Sequence, residues 1–173
     1  MQPNQPWVLF SIFLMSHMVN ACETDESSTG NTIAGCTAGV PCVVVAQAYA
    51  DEVVLEPIQP MESLGVFDAN QGGIATWLTI VLVDAPPGNP KIQVDIMENG
   101  VQINSPLFLK VPFKDGPSGI RYRDGFMVQL NEPCCASDFE GREANVTVRV
   151  FFDDMEPFST TVPVILTEIA WPL

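Results

Sequence analysis

Beyond residue 21 the sequence contains no histidine, since the one it has is His17. Without an imidazole, Ser-His-Asp and Cys-His nucleophiles, the common His-containing zinc sites and the usual neutral-pH proton shuttle are excluded there. What survives is a carboxylate pair, or a serine working with Lys91, Lys110 or Lys114, and no spacing singles out either. The domain therefore reads as non-catalytic. Basic residues are scarce too: 7 Lys and Arg stand against 21 Asp and Glu, a net charge of −14. Such a chain repels phosphate backbones, so nucleic acid is excluded as a partner, and the acidity serves solubility. Long apolar runs are also missing. The longest near the start, Trp7 to Met15, is broken only by Ser11 and falls far short of the roughly 20 residues a helix needs to span a bilayer.

That run has the length of a signal-peptide core, and Val19-Asn20-Ala21-Cys22 follows it: a small residue before the cysteine, an apolar one three before it, and a polar tract after. These residues resemble the lipobox of bacterial lipoprotein precursors. The resemblance covers only the first two dozen residues and departs from the pattern in one respect, because positions 1 to 21 hold no Lys or Arg. It implies that residues 1–21 are removed and that Cys22 is acylated as the new N-terminus. Because Glu23 and Thr24 follow the cysteine rather than Asp, it also implies the outer membrane. Several acyl chains at about 0.8 kcal/mol per methylene make a durable anchor. The alternative is an ordinary signal peptide, a plain Cys22 thiol and a secreted product.

Residues 22–35 form the lipidated cysteine and a polar tether, Glu23 to Gly35 being too poor in apolar groups to offset its ordering entropy. A tether of this length reaches about 20 Å. Residues 36–173 make one domain. From Val43 onward apolar residues alternate with polar ones between closely spaced turns. The clearest strand is Asn145 to Phe152, with Val146, Val148, Val150 and Phe152 on one face and Thr147 and Arg149 on the other. On that register Val148→Asp unfolds the domain, while Arg149→Asp changes stability by a few tenths of a kcal/mol. Ile92 to Met97 alternates likewise and turns at Asn99-Gly100, a type I′ hairpin signal. Ile74 to Val83 is apolar on both faces, as a covered central strand would be. Val43 to Tyr49, Val53 to Leu55, Leu107 to Val111, Gly125 to Leu130 and Thr160 to Thr167 complete the set, with Pro163 assigning the last to an edge or a bulge. The fold class is all-β, an immunoglobulin-like antiparallel β-sandwich, with a jelly roll as the rival.

With Cys22 set aside, Cys36, Cys42, Cys134 and Cys135 remain for an oxidising compartment. Adjacent cysteines lie about 3.8 Å apart at Cα, below the usual disulfide range, so Cys36 and Cys42 are each expected to reach one of Cys134 and Cys135. A vicinal redox pair, or a four-thiolate metal site, is the functional alternative.

Four weaker constellations complete the inventory. Asp68-Ala-Asn70-Gln-Gly72-Gly73 opens like a calcium loop but has Thr79 in place of the bidentate Glu, and Asp153, Asp154 and Glu156 cluster after a strand, so calcium is the one cofactor in view. Arg121, Tyr122 and Arg123, between glycine-containing turns, form the most binding-like short segment. Trp77, Tyr122 and Trp171 would bind sugar rings if they shared an exposed face. Two functions emerge: a membrane-anchored envelope or surface lipoprotein whose sandwich binds a protein or glycan or serves as a structural module, or a secreted carbohydrate-binding or carbohydrate-active domain.

Overall fold

The computed structural model describes residues 33–47, 55–69, 72–131 and 134–170. Residues 1–32 lie outside this set, and with them the expected signal peptide, Cys22 and most of the tether. Tyr49, Val53, Val54, Asn70 and Trp171 also fall outside it.

Among the described residues ten strands form: β1 (Cys42–Gln47), β2 (Glu62–Asp68), β3 (Ile74–Val83), β4 (Lys91–Glu98), β5 (Val101–Gln102), β6 (Leu107–Lys110), β7 (Lys114–Asp115), β8 (Arg121–Leu130), β9 (Glu143–Phe151) and β10 (Phe158–Glu168). Their order is β5-β4-β9-β10-β2-β3-β8-β7, with β1 also paired to β3 and β6 to β4. The sheet doubles over, so that the inner faces of β4, β9 and β10 meet those of β1, β2, β3 and β8, and the expected all-β sandwich results. One pairing departs from a purely antiparallel sheet. β2 and β10, remote in sequence, lie side by side in parallel, with Leu166 opposite Leu64, which makes the sheet mixed.

The alternation read in the sequence decides which side chains go inside. Val146, Val148 and Val150 are fully buried, packing with Ile92, Val94 and Ile96 of β4. Each such side chain contributes about 1.5–3 kcal/mol when removed from water. Phe152 lies just past β9 and stacks half-buried on Phe158 at 6.2 Å. β3 is covered on both faces: Ile74, Leu78, Ile80 and Leu82 enter the main core, whereas Val81 and Val83 join a smaller cluster with Cys36, Val44, Ala46 and Ile120. Ile33, inside the segment expected to be tether, packs on that cluster. The Asn99-Gly100 turn has φ of 48° and 81°, positive at both central residues as a type I′ turn requires.

Three expectations are corrected. β2 was not foreseen, because Gly65 interrupts its pattern. A Cβ there would come within 2.5 Å of the Ile169 side chain, so the strand keeps a glycine where its neighbour crosses. Pro163 sits in an interior strand rather than at an edge. Its carbonyl accepts from Met61 N at 2.7 Å, and the ladder to β2 starts only at Val164, so the missing N–H falls where that ladder has not begun. The outer face of β9 is not freely solvated at Arg149. The guanidinium pairs with Asp95, which is 9% exposed and also accepts from Gln93 and Gln102 side chains.

Between β5 and β6 the fully buried Asn104 fills a gap in the ladder on β4. Its Oδ1 accepts from Ile96 N (2.7 Å) and its Nδ2 donates to the Val94 carbonyl (2.9 Å), so the side-chain amide stands in for a strand backbone. Asn131 N donating to Ile103 O and Ser105 N to Gln129 O tie this segment to β8. The sandwich thus has two ends, here called A and B. Cys42, Val83, Lys91, Arg121 and Phe151 mark end A, and Asp68, Ile74, Glu98, Leu130 and Glu143 mark end B.

Candidate functional site

End A carries a cleft of about 520 Å³, within the range of small-molecule sites. Its floor is the end of β9, Phe151 and Phe152, and its walls are the β3–β4 loop and the loop that follows β9. The first wall is stiff by sequence, since Pro86, Pro87 and Pro90 each fix φ. It is also held from two sides. The Asp84 carboxylate, on a residue with φ of 51°, accepts from Gly39 N at 2.7 Å, and the Arg121 guanidinium donates to the carbonyls of Pro86 and Gly88.

Electrostatics sets this cleft apart. Among the described residues, ion pairs engage Lys114 with Asp124, Arg142 with Glu98 and Arg149 with Asp95. Lys91 and Lys110 have none, although they face each other directly across β4 and β6 and both line the cleft. Like charges at such a cross-strand position repel by a few tenths of a kcal/mol or more. Lys91 lies 5.8 Å from the centre of the Phe108 ring, which itself meets Phe151 edge-on at 5.3 Å. Asp153 and Asp154 stand on the other wall. The cleft therefore offers paired ammonium groups beside aromatic surface, with carboxylates at the rim. A depression of about 640 Å³ at end B has its charges already spent on each other: Arg142 grips Glu98, and that hydrogen bond, opposed by partial burial, holds the Glu98 carboxyl below the ordinary range. Asp124 is lowered in the same way by Lys114.

The sequence-derived candidates are distributed differently from expectation. Arg121, Tyr122 and Arg123 are the first residues of β8, not an exposed tip. Arg121 serves as a strut for the cleft wall and stacks on Phe113 at 5.7 Å, Tyr122 packs on the small cluster beneath the Lys114 ammonium (5.9 Å), and Arg123 is half-buried. Asp68 accepts from Ala136 N at 3.0 Å, Ala69 N donates to Gly73 O and Gly72 N to Ala69 O, while Asn70 of the calcium-like opening lies outside the described residues. Asp153, Asp154 and Glu156 do not converge. Among the described residues the one grouping of metal-ligating atoms within 4.8 Å of each other is Cys134, Cys135 and Asp138. Trp77 is half-buried and meets Phe67 edge-on at 5.2 Å, which leaves no bare strip with Tyr122.

The disulfide expectation is overturned. Cys36 is bonded to Cys42, with Cα atoms 5.8 Å apart across one turn, and Cys134 and Cys135 are free. The cross-links cannot form because Cys42 stands opposite Val83 while the chain leaves β8 for Cys134 opposite Ile74, at the far end of ten-residue β3. At about 3.3 Å per residue that separates the pairs by about 30 Å. Lys91, Lys110 and the two Phe residues were missed as a site. Their only signal in the sequence was position at strand ends, which says nothing without the strand order.

Comparison of the chain with protein-family models, curated proteins and solved structures finds no match.

Proposed function

We propose that this protein is an exported lipoprotein, held at the cell envelope through Cys22, whose sandwich is a non-catalytic binding module with its ligand site in the cleft at end A. The observation that carries the binding role is the pair Lys91 and Lys110, opposed across two strands, engaged in no ion pair among the described residues and set beside Phe108 and Phe151. A ligand with an anionic group next to an apolar one relieves the repulsion and covers the ring. The wall is already rigid, so little ordering entropy opposes binding. The anchor is supported by Val19-Asn20-Ala21-Cys22 behind its short apolar run, and the non-catalytic reading by the lack of histidine after His17.

Two measurements test the proposal. Intact mass of membrane-extracted protein is expected to show loss of residues 1–21 and added acyl chains, and Cys22→Ala is expected to release the protein from the membrane. An unacylated product overturns the anchor. Titration with an anionic aromatic dye, anilinonaphthalene sulfonate, is expected to saturate at one site and to weaken at least tenfold in Lys91→Gln/Lys110→Gln. Unchanged affinity in that variant overturns the cleft.

A further inference from the structure

Cys134 and Cys135 stand at end B with their sulfurs 3.1 Å apart and both side chains exposed. The backbone that presents them is fixed. Ala136 and Phe139 of the following 3-10 turn (Ala136–Phe139) are buried in the core, Ala136 N donates to Asp68 Oδ1 (3.0 Å), Asp138 N donates to the Cys135 carbonyl (3.1 Å), and the Arg142 guanidinium lies 4.7 Å from the Phe139 ring. Among the described residues no other thiol competes, since Cys36 and Cys42 are joined to each other at the opposite end. We propose that Cys134 and Cys135 are a redox-active dithiol that closes to a vicinal disulfide by exchange with a disulfide substrate and reopens with thiols.

The chemistry balances as two exchanges. The Cys134 thiolate attacks one sulfur of the substrate disulfide, whose S–S bond breaks and whose other sulfur leaves with the electron pair as a thiolate. Cys135 then loses its proton to water and attacks the Cys134 sulfur, expelling the second substrate thiolate. The substrate gains two electrons and the dithiol loses two. Beside Cys134 the Cys135 thiol is pushed up to about 11, first by its hydrogen bond to the Cys134 sulfur, then by the Cys134 charge, burial and the Asp138 charge, so Cys135 is the second to attack. Once Cys134 is tied up in the mixed disulfide its negative charge is gone, and with it that charge's share of the elevation.

Reversibility has a geometric reason. Cα atoms of adjacent residues are about 3.8 Å apart, short of the usual 4.4 Å minimum, so the closed form is strained, and strained, exposed disulfides are the labile ones. A metal is the competing ligand, with Asp138 Oδ2 3.9 Å from the Cys134 sulfur. A tetrahedral ion with bonds of about 2.3 Å to sulfur spaces two sulfurs about 3.8 Å apart and needs a fourth ligand, so the observed 3.1 Å favours sulfur–sulfur bonding.

The test equilibrates the full chain across a series of glutathione to glutathione-disulfide ratios, alkylates, digests, and weighs the peptide holding both cysteines. The expected result is loss of two hydrogens from that peptide with no partner attached, reversed at glutathione levels that leave Cys36–Cys42 closed. Cys135→Ser is expected to accumulate one glutathione on Cys134. A peptide alkylated on both thiols at every ratio overturns the proposal, as does its recovery joined to Cys36 or Cys42, or protection from alkylation only with added zinc and lost on chelation. The oxidising setting rests on the export reading, which the mass of the N-terminal peptide reports separately.

Discussion

At end A two cysteines separated by one turn are joined, while at end B two adjacent cysteines with nearly touching sulfurs are not. Both pairs are close in sequence, and both hang on the same core. The difference lies in what each backbone allows. The turn from Cys36 to Cys42 brings Cα atoms to 5.8 Å, inside the disulfide range, and buries Cys36 against Val81 and Val83. Adjacent residues cannot reach that spacing, and their thiols point to solvent. One pair is thereby part of the fold, and the other is left available for chemistry.

The strongest way to break this contrast is to remove the core that both ends share. Val148→Asp places an unpaired charge among Val94, Val146 and Val150 and is expected to cost more than about 4 kcal/mol, unfolding the domain. Thiol labelling after mild reduction should then find Cys36, Cys42, Cys134 and Cys135 equally reactive. Opening end A alone is milder. Cys36→Ser/Cys42→Ser removes a loop of about seven residues, worth about 2 kcal/mol in the chain-entropy model, well below the roughly 4.7 kcal/mol of a hundred-residue loop. Denaturant melts should show that loss with the reactivity of Cys134 unchanged. A change midway between the ends should matter more than the sequence alone suggested. Arg149→Asp sets a second carboxylate against nearly buried Asp95 and is expected to cost about 1–2 kcal/mol, whereas Arg149→Gln, which keeps a donor, should cost less; thermal melts of the two variants separate charge from packing. The smallest effect concerns acid at end B. A carboxyl lowered by Arg142 stabilises the fold above its ordinary pKa of about 4.3 and loses that contribution as pH falls through the lowered value. Glu98→Gln should therefore cost about 1 kcal/mol at pH 7 and narrow its gap to the parent below about pH 4, as melts across that range will read.

Much of the architecture was legible. β9, β4, β3 and the Asn99-Gly100 hairpin follow from alternation and turn chemistry, because the choice of face is made residue by residue along an extended chain. β2 escaped because the requirement for Gly65 comes from Ile169, a residue about a hundred positions away. The cleft was illegible for the same reason. Lys91 and Lys110 oppose each other only because β6 pairs with β4, and Arg121 became a strut only because β8 starts beside the β3–β4 loop.

The sequence by itself determined an all-β chain, its inward residues, its acidity and the absence of imidazole after position 17, since these depend on composition and on spacing between near neighbours. Only the tertiary structure decided which cysteines meet, which lysines face each other, and that β2 and β10 run side by side in parallel. Burying the inward residues in one core sets the strand order, and strand order brings distant strand ends together, which local pattern cannot encode.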